Sequence, residues 1–145
     1  MDESSNLYNE VILKHNKSPF HYEKKELFTH QIEAYNPVCG DQFKIYIETA
    51  GNHIKQMYFH GYGCAVSKAA ASILIENAQH LSLSELKQMI NIYLDNIENS
   101  NLDENSKYKT TFDAFKIAKT FPGRLPCATL SWDKMLEYLP ILEEK

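Results

Sequence analysis

Residues 42–61 read QFKIYIETAGNHIKQMYFHG. Phe43, Ile45 and Ile47 alternate with polar or amphipathic neighbours. Gly51-Asn52 supplies a turn, and Ile54, Met57 and Phe59 resume an extended pattern after it. Alternation on both sides of a two-residue turn signal predicts a β-hairpin. Just upstream, residues 27–35, LFTHQIEAY, alternate more weakly and read as another strand. Three such strands make one small antiparallel sheet.

The rest of the chain reads as helix. Over residues 5–16, Leu7, Val11 and Ile12 fall on one face of a helix that Pro19 stops near Lys17. After Gly61, CAVSKAAASILIENAQ has small residues on one side and no breaker, which suits close approach to a sheet or another helix. Ser82 and Glu85 form a capping-box pair. Leu83, Leu86, Met89, Ile90, Tyr93, Leu94 and Ile97 then repeat at helical spacing. Residues 99–106, NSNLDENS, form a polar loop. Tyr108, Phe112 and Phe115 predict a further helix closed by Pro122 and Gly123. Pro126 fits the first turn of a last helix reaching about Leu139. Helix, then strands, then helices reads as an α+β domain, residues 1–145, with helices packed on one face of the three-stranded sheet.

Bulk properties narrow the function. The chain has 145 residues, is 43% hydrophobic and carries a formal net charge of −4. That length fits one domain with a sizeable core. The acidic balance, with no cationic stripe, argues against nucleic-acid binding. MDESSNLYNE is acidic and no apolar run reaches spanning length, so a cytoplasmic, membrane-free protein is expected. Three cysteines without a secretion signal argue against a disulfide framework.

Those cysteines, Cys39, Cys64 and Cys127, each stand where an element begins or ends. Cys39 lies in the NPVCGD turn, while Cys64 and Cys127 lie near predicted helix N-termini, where free N–H groups and the helix dipole stabilise a thiolate. Asp41, two residues after Cys39, adds an oxygen. Three sulfurs and one oxygen are a donor set for tetrahedral zinc. Thiolates, carboxylate and Zn²⁺ together leave two negative units, which the two helix N-termini and Arg124, the sole arginine, are placed to offset. Against this, the intervals of 25 and 63 residues are unlike paired C-x-x-C sites, and scattered cysteines also serve as small buried hydrophobes. His60, four residues before Cys64, is more simply a solvated side chain than a ligand. Trp132 and the later aromatics read as core.

Four motifs in order carry a resemblance: LYNEVILKHNKSP, NPVCGD, GYGCAVSKAAAS and RLPCATLSW. Over nearly its full length the chain resembles the SufU/IscU/NifU N-terminal family of iron–sulfur cluster assembly proteins. The resemblance implies a SufU/IscU-like α+β fold with a three-stranded antiparallel sheet, and a structural place for His15 on the opening helix. IscU-type scaffolds carry a histidine before the third cysteine, where this chain has Pro126, and a Leu-Pro-Pro-Val-Lys motif that is absent here. The long stretch between Cys64 and Cys127, and Arg124, look like the SufU branch. That branch implies zinc on Cys39, Asp41, Cys64 and Cys127, and a zinc-dependent sulfurtransferase. A PLP-dependent cysteine desulfurase of the SufS type would hand persulfide sulfur to it, and SufBCD machinery would receive that sulfur. Cys39 is then the sulfur acceptor, displaced from zinc by a desulfurase histidine. Two alternatives stand beside this reading: a scaffold assembling a [2Fe–2S] cluster on the same cysteines, and a metal-stabilised module that only activates the desulfurase. FHYEKK after Pro19 departs from the family pattern and leaves the course of that connection open.

Overall fold

The computed structural model describes residues 9–121 and 123–144. Its elements are α1 (Glu10–Lys17), β1 (His30–Asn36), β2 (Asp41–Ala50), β3 (His53–Tyr62), α2 (Ala65–Ala78), α3 (Leu83–Asn99), α4 (Lys109–Asp113), a 3₁₀ helix (Lys116–Thr120) and α5 (Leu125–Glu143). Leu7 of the expected first helix and Pro122 lie outside the described residues.

The hairpin forms as its pattern demands. The sheet order is β1-β2-β3, antiparallel throughout. Ile32, Ala34, Phe43, Ile45, Ile47, Ile54, Met57 and Phe59 are buried on one face. Ile54 and Met57 are three residues apart, which strict alternation would send to opposite faces. A bulge resolves this: Thr49 pairs with Ile54 and Glu48 with Gln56, leaving Lys55 as the extra residue. The helical layer, α2 and α5 with α1 and α3 behind, covers that inner face. The expected α+β architecture is therefore the observed one.

Several boundaries differ for physical reasons. β1 begins at His30 rather than Leu27. Leu27 is 87% exposed, and pairing starts where the Thr29 N–H and hydroxyl both donate to the Ile47 carbonyl, at 2.9 and 2.8 Å. The helix expected around Tyr108–Phe115 breaks into a five-residue α4 and a 3₁₀ helix. Phe115 N–H bonds Phe112 C=O, and Ala118 N–H bonds Phe115 C=O, both of the tighter three-residue kind. This spacing buries Phe112 and Phe115 together beside Tyr93. α5 continues through Pro140 to Glu143, because Leu142 is buried and anchors the final turn.

The FHYEKK connection has a defined course. Tyr22 forms a parallel bridge with Phe59, Glu23 N–H donates to Phe59 C=O at 2.9 Å, and Phe59 N–H donates to His21 C=O at 3.1 Å. It thus covers part of the outer edge of β3. His21 takes φ +48° there and stacks between the rings of Phe20 and Tyr58. No helix among the described residues is long and apolar enough to cross a membrane.

At the end of β3, the Gly61 backbone packs directly on β2. A Cβ there would lie 2.2 Å from the Gln42 carbonyl oxygen, and φ is +145°. Backbone on both sides leaves no flexible atom to give way. Gly61→Ala is therefore expected to destabilise the fold by at least ~2 kcal/mol, read as a lowered urea midpoint; an unchanged midpoint would show that the two strands can separate there at little cost.

Candidate metal centre

Three short stretches, far apart in sequence, meet at one end of the sheet. The first is the β1–β2 turn. Asn36 Oδ1 accepts the Val38 N–H at 3.1 Å, and the Asn36 carbonyl accepts the Gly40 N–H at 2.7 Å. Gly40 closes the turn at φ +80°, a left-handed conformation that favours glycine. Cys39 is thereby left exposed on the turn, while Asp41, the next residue into β2, is only 1% exposed.

The second stretch enters α2. Cys64 is its N-cap, with Sγ accepting the Ser67 N–H at 3.4 Å. Its own N–H donates to Asp41 Oδ1 at 3.0 Å, joining the first motif to the second. Gly63 makes this contact possible: a Cβ there would sit 2.7 Å from Asp41 Oδ1 and 3.0 Å from the Phe43 ring.

The third stretch enters α5, where Cys127 is buried in the first turn. Its sulfur lies 4.0 Å from that of Cys39, and both approach the Gly123 carbonyl at 3.8 Å. α5 is fixed from behind. Trp132 stacks on Tyr93 with centroids 3.6 Å apart and donates from Nε1 to Ala70 C=O at 2.9 Å. The Tyr93 hydroxyl donates to Ala128 C=O, beside Cys127, at 2.6 Å.

Cys39, Asp41 and Cys127 offer ligand atoms all within 4.8 Å of one another, a group able to hold a metal ion. Cys64 stands beside this group rather than within it. Its sulfur is turned to the Ser67 N–H, which donates to it at 3.4 Å. An interaction with the Cys127 thiol chiefly lowers the Cys64 thiol, to about 6, against the opposing effect of burial. The Cys127 thiol is pushed up, first by the same interaction and then by burial. Beside them, Asp41 Oδ2 is buried without any hydrogen-bond partner. A buried carboxylate oxygen left in this state is costly unless something positive meets it.

The remaining candidates have defined places. Arg124 is the N-cap of α5, three residues before Cys127 and only partly exposed. His60 lies against the Tyr22 ring and is no part of the metal-capable group. His15 binds Ser72 Oγ through Nδ1 at 2.8 Å, tying α1 to α2; burial lowers its pKa. Gly63, Asn36 and the Gly123 carbonyl were not among the expected functional groups. Their signal is the glycines flanking two of the cysteines and the asparagine opening the turn.

Comparison with known proteins agrees with this fold. The family model of the NifU-like N-terminal domain matches residues 7–120. The zinc-dependent sulfurtransferase SufU of Bacillus subtilis is 30% identical over 133 residues, covering 90% of this chain and 87% of that protein. The iron–sulfur cluster assembly scaffold protein IscU of Streptococcus pyogenes is 27% identical, covering 92% and 82%. Among solved structures, an iron–sulfur cluster assembly scaffold protein of the SUF system from Fervidobacterium islandicum superposes with a TM-score of 0.80 at 27% identity, covering 93% of this chain and 95% of that one. A NifU-like N-terminal protein from Brucella abortus shares the fold at TM-score 0.84 and 14% identity, with 99% of each chain covered. The chain belongs to the SufU/IscU/NifU N-terminal family of iron–sulfur cluster assembly proteins.

Proposed function

We propose that the chain is a zinc-bound sulfurtransferase. On this reading it takes persulfide sulfur from a SufS-type PLP-dependent cysteine desulfurase and passes it to SufBCD-type machinery, with Cys39 as acceptor. Cys39, Asp41, Cys64 and Cys127 are the proposed ligands. The observation that carries this is the buried Asp41 carboxylate set beside the motif cysteines with Oδ2 unpartnered. A divalent cation held there would satisfy that oxygen and favour the thiolate form of the cysteines around it. Three sulfurs and one oxygen fit tetrahedral zinc, and Pro126 stands where a scaffold-type histidine would precede the third cysteine.

When bound, zinc supplies charge that keeps the thiolates deprotonated, without redox chemistry of its own. The chain's residues do the rest. Asp41, anchored by the Cys64 N–H, and the helix-borne Cys64 and Cys127 hold the site together. Cys39 is the part free to leave: it is exposed, sits beside Gly40, and its contacts at 3.8 and 4.0 Å are long. Its thiolate attacks the outer sulfur of the enzyme persulfide. The sulfur–sulfur bond of that persulfide breaks, the enzyme thiolate departs, and Cys39 carries the persulfide. Arg124, at the mouth of α5, is assigned to offset the excess negative charge.

A second reading has its own support. Soft thiolates also accept iron–sulfur clusters, and relatives named as scaffolds match nearly the whole chain. Iron and sulfide in the anaerobically purified protein, with brown colour, would favour that scaffold role; colourless protein with one zinc per chain is expected.

Cys39→Ser is expected to abolish stimulation of desulfurase turnover and the persulfide trapped on this chain by alkylation. Undiminished transfer would remove Cys39 as acceptor. Full stimulation with no trapped persulfide on the native chain would leave only an activating role. Gly63→Ala is expected to push the Asp41 carboxylate aside and weaken zinc binding by about 10–100-fold in competition with a chelating dye, the range found for disturbed supporting contacts. Unchanged affinity would remove Asp41 from the ligand set.

A further inference from the structure

Two sulfurs in contact belong to the most exposed and the most buried of the three cysteines. Cys39 and Cys127 Sγ are 4.0 Å apart, and a disulfide needs about 2.05 Å. The approach required is therefore about 2 Å, and with α5 fixed it falls chiefly to the turn that carries Cys39. Gly40 and Gly123 hold left-handed φ values of +80° and +82°, and each faces open space, with nothing within 4 Å of where a Cβ would stand. Cys64 is less suited as the partner, since its sulfur caps α2 through the Ser67 N–H. Solvent reaches Cys39 first, so an oxidant meets it first.

We propose that Cys39 and Cys127 form a reversible intramolecular disulfide when the metal-free chain meets a peroxide. The Cys39 thiolate attacks one peroxide oxygen, breaking the O–O bond. It becomes a sulfenic acid, and with a proton taken up the other oxygen leaves as water. Cys127 sulfur then attacks Cys39 sulfur. An S–S bond forms, the Cys127 proton is released and the sulfenic oxygen leaves as a second water. Two electrons pass from the sulfurs to the peroxide, and a dithiol reductant returns them by exchange. The bond would occupy the sulfur acceptor and withdraw two of the proposed metal ligands, closing the site under oxidising conditions. That consequence rests on the transfer reading above, whereas the bond itself does not.

Tryptic cleavage after Lys44, Lys55, Lys68 and Arg124 puts the three cysteines on separate peptides. The full chain, stripped with a chelator, is treated with equimolar hydrogen peroxide, blocked with an alkylating agent and mapped without reduction. Expected is a monomer lighter by two hydrogens before blocking, a Cys39–Cys127 linked peptide pair, and alkylation at Cys64 alone. Cys64→Ser should still form the link, and Cys39→Ser and Cys127→Ser should not. Linkage through Cys64, a disulfide-bonded dimer, sulfinic acid at Cys39 as the main product, or three alkylated cysteines would each overturn the proposal. The map of the native sequence decides this even where a serine variant fails to fold, and its outcome is independent of whether the isolated protein carries zinc.

Discussion

The hydrogen bond from the Cys64 N–H to Asp41 Oδ1 is the contact on which the site depends. It joins the first residue of β2 to the N-cap of α2, so the NPVCGD and GYGC motifs become one structure. The bond exists because position 63 has no Cβ; any side chain there would meet the carboxylate or the Phe43 ring. It also leaves the carboxylate half satisfied. One oxygen is anchored to backbone and the other is buried without a partner beside the cysteines, so the fold presents a negative oxygen where a cation would be stabilised.

The third cysteine reaches this place through the helical core. Tyr93 of α3 stacks on Trp132 of α5, and its hydroxyl holds the Ala128 carbonyl. Trp132 in turn bonds Ala70 of α2. These aromatic contacts set the position of α5 against the two helices it packs on. Ala70, small and buried, takes the Trp132 bond where α5 packs on α2. Two rigid helix starts therefore carry Cys64 and Cys127, while Cys39 rides a glycine turn. That difference in support is what the proposed transfer and the proposed disulfide both draw on.

Much of this was legible in the sequence, for identifiable reasons. The hairpin at 42–61 announces itself because one buried face forces a period of two. α3 does so because Ser82 and Glu85 reciprocate in the capping box the pattern predicts. The break of the expected helix around Tyr108–Phe115 is not legible in spacing, because residues three apart can share a face in either an α-helix or a 3₁₀ helix. α5 runs past the expected end near Leu139, through Pro140, because burial of Leu142 holds the turn beyond it. Cysteine spacing could not bring the three motifs together, since the chain between them is 25 and 63 residues long; the resemblance to a family supplied that expectation. Gly63 was invisible for a related reason: a missing side chain matters only through the neighbour it would have struck.

Zinc K-edge absorption on the protein as isolated, read together with its metal content, tests the proposed centre most directly. One zinc per chain is expected, with about three Zn–S contacts near 2.3 Å and about one Zn–O contact near 2.0–2.2 Å. The oxygen shell should be lost or replaced in Asp41→Ala. Stoichiometric iron and sulfide in place of zinc, or zinc bound through at most two sulfurs with no change on removing Asp41, would contradict it.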